Sequence, residues 1–516
     1  MLDTPTMTTT RPSLLVLALL AGLACDRKGD SSASERVDAA PPHHEGKREE
    51  FRGPERLDDA PPSAPPGEAY APIREQRPES AKALSTFSID VDTASYSNVR
   101  RLLNAGMKPP ADAVRIEELI NYFDYDYLEP RDGQPFAVVT EVSACPWNER
   151  ARLVHIGLQA ARIGVGELPA RNLVFLLDVS RSMNAPDKLP LLEQALALLV
   201  DTLDQDDHVA IVVYAGKSGV VLEPTSGSDK QTILAALARL EAGGSTNGGV
   251  GIERAYALAR KHFERGAINR VILATDGDFN VGKISRRELE QLIEHERESG
   301  VFLSVLGFGT GNLGDSTMET LADHGNGNYA YIDSLDEAQK VLVDEAGATL
   351  LTVARDVKVQ VEFDPKQVET YRLIGYENRA MADADFANDA ADAGEIGAGH
   401  SVTALYEIVP RGQLGAGGEA PEAELGTLRL RWQPPKGGTS ELMTLTIADH
   451  GTPLERSSDD FRFAAAVAEF GLLLRDSDQR GSASWPQVMR LASEAMGDRD
   501  RHRQEFLQLA GKASEL

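Results

Sequence analysis

Three short stretches of this chain carry side chains that could do chemistry together. Asp178, Ser180 and Ser182 alternate in Leu176-Leu177-Asp178-Val179-Ser180-Arg181-Ser182-Met183, directly after an apolar run. A carboxylate and two hydroxyls on one turn offer hard oxygen ligands, the kind Mg2+ takes in preference to softer donors. One turn cannot complete an octahedron, so further ligands must come from other loops. The sequence supplies Gly243-Gly244-Ser245-Thr246-Asn247 ahead of a helical pattern, and Thr275-Asp276-Gly277 after a strand-like run. Taken singly, each piece reads as an ordinary cap or tight turn; the chemistry needs all three in one place.

The elements that would bring them together are legible from Asn172 to about Gly347. Strands and helices alternate there strictly, which predicts a doubly wound parallel sheet covered on both faces. The strands read Leu173 to Leu177, Val209 to Tyr214, Val271 to Ala274 and Val301 to Phe308, near-continuous apolar runs as two-sided burial demands. Amphipathic helices such as Leu189 to Leu203 and Glu253 to Phe263 lie between them. In open sheets of this kind ligands bind beyond the carboxyl ends of the strands, which is where Asp178 and Asp276 fall.

With Asp-x-Ser-x-Ser, a distant Thr and a distant Asp in this order, the segment resembles the von Willebrand factor A domains and their metal-ion-dependent adhesion site. The resemblance implies direct coordination of Mg2+ or Mn2+ by Ser180, Ser182 and Thr246, with Asp178 and Asp276 acting mainly through bound waters. It also implies an open coordination position that accepts an Asp or Glu side chain of a partner protein. The run Phe87-Ser88-Ile89-Asp90-Val91-Asp92-Thr93-Ala94-Ser95-Tyr96 and the segment Gly325-Asn326-Gly327-Asn328-Tyr329-Ala330-Tyr331-Ile332-Asp333 resemble bacterial YfbK-type proteins. Those share an order of leader domain, A domain and C-terminal domain.

The flanks read differently from the central alternation. Residues 1-24 have the shape of a signal peptide: Arg11, then the apolar run Leu14 to Leu20, then small residues before Cys25. Gly22-Leu23-Ala24-Cys25 resembles the bacterial lipobox, which implies a lipid anchor on Cys25 and a place in the cell envelope, inner or outer membrane left open. Residues 25-82, rich in Pro, Glu, Arg and Ser, read as a disordered tether. An N-terminal associated domain over 83-168 contains a short strand at Thr86 to Ile89 and helices at Ala94 to Ala105 and around Ile116 to Tyr122. Asp90 and Asp92 are expected to cap the first of these helices. Strands centred on Phe136 to Val139 and Leu153 to Ile156 follow, with His155 a packing residue. After the A domain (169-347), residues 348-516 alternate as strands (Val357 to Phe363, Ser401 to Val409, Thr427 to Trp432, Met443 to Ile447) and close with helices at Phe461 to Leu474 and Trp485 to Ala495. The stretches Ala380 to Gly399 and Gly412 to Glu424 read as mobile. Too few strands precede the A domain to bury a face alone, so those at 136-160 are expected to pair with strands after 350. The fold class is thus α/β, an A domain inserted in or flanked by a β-sandwich.

Composition excludes several functions. With 53 Lys plus Arg against 80 Asp plus Glu, the formal charge of -27 repels nucleic acid. Two cysteines provide neither a disulfide framework nor a thiolate zinc site. The loop Gly277 to Ile284 nearly matches a phosphate-binding loop but has Ile284 where a hydroxyl must follow Lys283, which argues against nucleotide. Gly309-Thr310-Gly311-Asn312-Leu313-Gly314 fits a dinucleotide fingerprint but follows a late strand. No nucleophile elbow occurs. With these set aside, the resemblance implies a recognition module that is not an enzyme, with a metal-assisted hydrolase using the same Mg2+ as the alternative.

Overall fold

The computed structural model describes residues 67–516, apart from 132, 165–167, 216–217, 245–247, 278–285, 413–421 and 498–500. The signal-like run, Cys25, Thr246 and residues 278–284 of the glycine-lysine loop lie outside the described residues. The leader contributes strands β1 (Glu79–Ser80) and β2 (Ser85–Ser88), helices α1 (Ala94–Asn104) and α2 (Ile116–Asn121), and the long strands β3 (Phe136–Ala144) and β4 (Arg152–Ala160). The tether expectation ran to residue 82, but from Gly67 onward the chain has backbone partners. Ala69 N–H donates to Leu313 O at 3.0 Å, and Glu79 pairs with Tyr371. Strand addition uses main-chain groups and needs no large side chains, so composition alone could not reveal it.

The A domain then runs through β5 (Arg171–Asp178), α3 (Leu189–Asp201), β6 (His208–Tyr214), β7 (Gly219–Ser226), α4 (Lys230–Leu237), α5 (Gly248–Lys261), β8 (Ile268–Thr275), α6 (Arg286–Glu298), β9 (Phe302–Phe308), α7 (Asp315–His324), β10 (Tyr329–Ile332), α8 (Leu335–Gln339) and α9 (Ala346–Leu350). The sheet order is β10-β9-β8-β5-β6-β7. All eight residues of β5 are buried. Leu173, Phe175 and Leu177 face a core shared with α3 and α4, whereas Val174 and Leu176 face one shared with α5 and α7. Alternation across a strand covered on both sides produces this division. The sequence predicts a parallel sheet, but β7 runs antiparallel to β6. Only residues 215–218 join the two strands, too few for a crossover, so the connection has to be a hairpin.

The remaining chain supplies β11 (Thr352–Phe363), β12 (Val368–Ile374), β13 (Gly394–Gly397), β14 (Ser401–Pro410), β15 (Ala423–Gln433) and β16 (Glu441–Asp449), followed by α10 (Asp459–Leu474), α11 (Trp485–Glu494) and α12 (Arg501–Ala513). One sheet has the order β1-β12-β14-β4-β3 and the other β13-β11-β15-β16, with β2 also on β11. Their inner faces share one core, with Val154, Ile156 and Tyr406 from the first sheet and Val359, Val361 and Leu430 from the second. β4 pairs with β14 from Arg152↔Ile408 to Gln159↔Ser401. The A domain thus leaves the sandwich after β4 and returns to it at β11. α10 to α12, with α1 and α2, cover the outer face of the first sheet around Leu153 and Leu405.

Three expectations for the flanks change. Residues 380–399 are not a loose loop: they hold a 3-10 turn at Asp383–Ala387 and strand β13, which pairs with β11. Asp90 and Asp92 do not cap α1, whose N-cap Thr93 makes no side-chain cap bond. Instead Asp90 and Asp92 bind Arg379 at 3.0 and 3.3 Å, and Asp92 Oδ1 accepts the N–H of Tyr329 at 2.8 Å. The carboxylates tie the leader to the sandwich and to β10, a stronger demand than one helix cap. His155 behaves as a packing residue: its Nε2 lies 2.8 Å from the Tyr127 hydroxyl, and burial pushes its pKa down to about 3.

Candidate functional site

Strand order decides where the site forms. The chain moves from β5 outward to β6 and β7, then crosses back to β8 on the other flank of β5, so β5 and β8 border a topological switch point. Such a point opens a crevice beyond the carboxyl ends of the two strands. Parallel pairing runs to Leu177↔Ala274, which leaves Asp178 and Asp276 at the mouth of that crevice.

The Asp178 turn is built from its own side chain. Asp178 Oδ1 accepts the Ser180 N–H at 2.7 Å, and Thr275 Oγ1 donates to Asp178 Oδ2 at 3.4 Å. The Ser180 and Ser182 hydroxyls lie 2.9 Å apart. The turn is braced from the loop between α4 and α5: Gly243 N–H donates to Val179 O at 2.7 Å, and Arg181 N–H to Gly244 O at 3.4 Å. That loop continues into Ser245-Thr246-Asn247, outside the described residues, so Thr246 is placed here only by its neighbours in sequence. Asp178 and Asp276 are fully buried and Ser180 nearly so, whereas Ser182 is exposed. The arrangement opens to solvent on its hydroxyl side.

The two carboxylates differ in electrostatics. Burial pushes Asp178 up to about 6, with the charge of Asp276 adding to it and the Ser180 N–H working against it. Burial would also raise Asp276, but Lys188 and Asn312 hold it below the ordinary carboxylate range. Lys188 Nζ lies 2.9 Å from Asp276 Oδ2 and 2.8 Å from Asn312 Oδ1. Sequence reasoning missed both residues and pictured Asp178 and Asp276 as two bare charges. One signal was available: Lys188 immediately precedes α3, where the helix dipole disfavours a cation, so its charge needed a partner from elsewhere.

Glycines make room for this contact. A Cβ on Gly309, whose φ is +74°, would lie 2.2 Å from Cγ of Lys188. A Cβ on Gly277, at φ +95°, would lie 2.2 Å from Gly314 N. The glycines of the dinucleotide-like loop therefore serve the lysine and the Asp276 turn. The acid that would have completed a dinucleotide site, Asp333, is engaged by Arg100 Nε at 2.9 Å. The leader holds the same loop from outside: Glu68 Oε1 accepts from Gly311 N–H at 3.2 Å while its Oε2 pairs with Arg101 at 2.8 Å.

Among the described residues no group of three or more His, Cys, Asp and Glu side chains is placed to hold a metal. The Asp178 constellation has two such groups, and its remaining donors are hydroxyls. An all-oxygen set of this kind fits a hard divalent cation such as Mg2+ or Mn2+ and no thiophilic one.

Comparison with known proteins gives the same organisation. Residues 65–155 match the family described as von Willebrand factor, residues 172–344 the von Willebrand factor type A domain, and residues 348–516 the C-terminal domain described as "Uncharacterized protein YfbK, C-terminal". The Escherichia coli (strain K12) protein "Uncharacterized protein YfbK" is 46% identical over 447 residues, covering 83% of this chain and 77% of that protein. Inter-alpha-trypsin inhibitor heavy chain H3 of Mesocricetus auratus is 26% identical over 262 residues, 46% of this chain and 28% of its own length. Among solved structures, a von Willebrand factor type A protein from Catenulispora acidiphila is 18% identical and covers 72% of this chain and 89% of its own, with a TM-score of 0.43. Three consecutive family matches and this identity across most of both chains carry one conclusion: the chain belongs to the YfbK-type family of von Willebrand factor type A domain proteins.

Proposed function

We propose that this protein is an envelope-anchored recognition module that captures an Asp or Glu side chain of a partner protein through Mg2+ or Mn2+ held by Asp178, Ser180, Ser182, Thr246 and Asp276. The A domain family typically mediates protein-protein interaction. The observation that supports it is the meeting of the Asp178 turn, the Gly243-Gly244 brace and Asp276 at one switch point, with the Ser182 hydroxyl linking Ser180 and Asp276. When bound, the cation would supply an electrophilic coordination position for an incoming carboxylate. The chain's own residues orient the donors: the Ser180 N–H fixes Asp178, and Lys188 and Asn312 fix Asp276.

Calorimetric Mg2+ titration and thermal melts test the reading. The wild type should bind one cation and gain about 2.7 kcal/mol of stability at a hundredfold excess over its Kd. Asp178→Ala should bind none and show no shift. An equal metal-induced shift in the variant would place the cation elsewhere, and steady turnover of simple esters or phosphates would favour the hydrolase instead. The anchor is a separate proposal. Labelled fatty acid should attach to the wild type and not to Cys25→Ser in a lipoprotein-competent bacterium, and an unlabelled wild type would refute it.

A further inference from the structure

We propose that Lys188 sets the charge of the metal site, weakening cation affinity so that the loaded site stays net positive and selects an anionic partner group. The inference rests on the metal-dependent reading above and deepens it. Its basis is the position of the lysine. Lys188 is 5% exposed and sits at the start of α3, where the helix dipole opposes a cation. Burying an ammonium is costly without a partner. The ion pair it makes is with Asp276, one of the two acids of the motif, and its other side-chain contact is Asn312 Oδ1. Gly309 leaves room for the lysine stem. Neither contact serves the apolar core.

The charge count then decides the behaviour. Two ionised aspartates and a dication sum to zero, and such a site has little long-range attraction for a carboxylate. Lys188 brings the sum to plus one. The same positive charge repels the incoming cation. A unit charge one carboxylate away from a dication shifts its affinity by about tenfold even at the dielectric of water. Lys188 therefore trades metal affinity for electrophilicity. Without metal the 2.9 Å contact from its Nζ keeps the Asp276 carboxylate in position.

The test uses the full-length protein with Mn2+ as the metal probe and acetate as the carboxylate probe. Lys188→Met should bind Mn2+ about tenfold more tightly than the wild type, while acetate binding to the loaded protein, read by water-proton relaxation, weakens by about threefold, since acetate carries half the charge of the cation. Lys188→Gln, which is neutral but can still donate to Asp276, should behave like Lys188→Met, separating charge from hydrogen bonding. Metal-free Lys188→Met should melt below the metal-free wild type and gain more on loading. Unchanged or weaker Mn2+ affinity in folded Lys188→Gln would overturn the proposal while leaving the site intact. Loss of the underlying site would look different: wild-type Mn2+ binding that Asp178→Ala fails to abolish would sink both.

Discussion

Arg379→Met should lower stability by about 3–5 kcal/mol, the cost of leaving buried acids without their cation. Arg379 lies in the turn after β12 and reaches four carboxylates on two other parts of the molecule. Asp90 and Asp92 come from the leader at 3.0 and 3.3 Å, and Asp323 and Glu319 come from α7 of the A domain at 2.8 and 3.8 Å. Asp90 and Asp92 are almost fully buried. Burial, then the neighbouring Asp90, already pushes Asp92 well above the carboxylate range while Arg379 pulls it back. Without the guanidinium these acids must take up protons to stay buried, so the variant should bind more protons when folded than the wild type does. Its deficit should therefore grow as pH rises and shrink toward pH 5. Melts at pH 5 and pH 8 read this directly, and limited proteolysis at residues 161–170 should accelerate at the higher pH as the A domain loosens. A deficit under 1 kcal/mol, or one that is the same at both pH values, would show that the junction holds without Arg379.

That junction explains why some of the fold was legible in the sequence and some was not. β5 could be read from Leu173 to Leu177 because a strand buried on both faces must be apolar throughout, and β8 and β9 follow the same rule. β7 escaped because an edge strand with a half-exposed face, Gly219 to Ser226, mixes Val, Glu, Pro and Thr without a clear period. β12 escaped for a related reason: Val-Glu-Thr-Tyr-Arg-Leu-Ile mixes polar and apolar residues across its two faces. The third closing helix, Arg501–Ala513, shows the core only Arg503, Phe506, Leu509, Ala510 and Ala513 within a polar run. The meeting of Asp178, Ser180 and Asp276 was legible because each sits at or just beyond the end of a recognisable strand. Lys188 and Asn312 were not, since their roles depend on contacts with residues 88 and 124 positions away, respectively. Asp90 and Asp92 carry the same lesson: local spacing suggested a cap, whereas their partner Arg379 is nearly 300 residues distant.

Glu117→Gln should stabilise the protein by about 3 kcal/mol at pH 8.5 and by almost nothing at pH 4. Glu117 lies near the start of α2 and is buried, and among the described residues no other side chain donates a hydrogen bond to its carboxylate. Burial pushes it up to about 7, the nearby charges of Glu377 and Asp90 add to the rise, and Arg475 opposes it. Arg475 is itself engaged with Glu377 at 2.6 Å, which limits what it can give Glu117. The sign follows from proton binding. Between the ordinary Glu pKa and about 7 the folded state holds a proton that the unfolded state has released, so stability falls as pH rises through this window. The native contribution is whole below about pH 4 and lost above the folded pKa. Glutamine has the shape of the protonated acid and never ionises, so its advantage grows through the window in which folded Glu117 holds a proton that the unfolded chain has released, and stays constant above it. Melting temperatures of both proteins across pH 4 to 9 should converge at the acid end, separate between about pH 4.5 and 7, and keep a constant gap above that. Parallel curves would mean that Glu117 ionises at its ordinary pKa, with solvent reaching the carboxylate. A variant less stable at every pH would instead show that the charge itself holds α2 in place through Arg475.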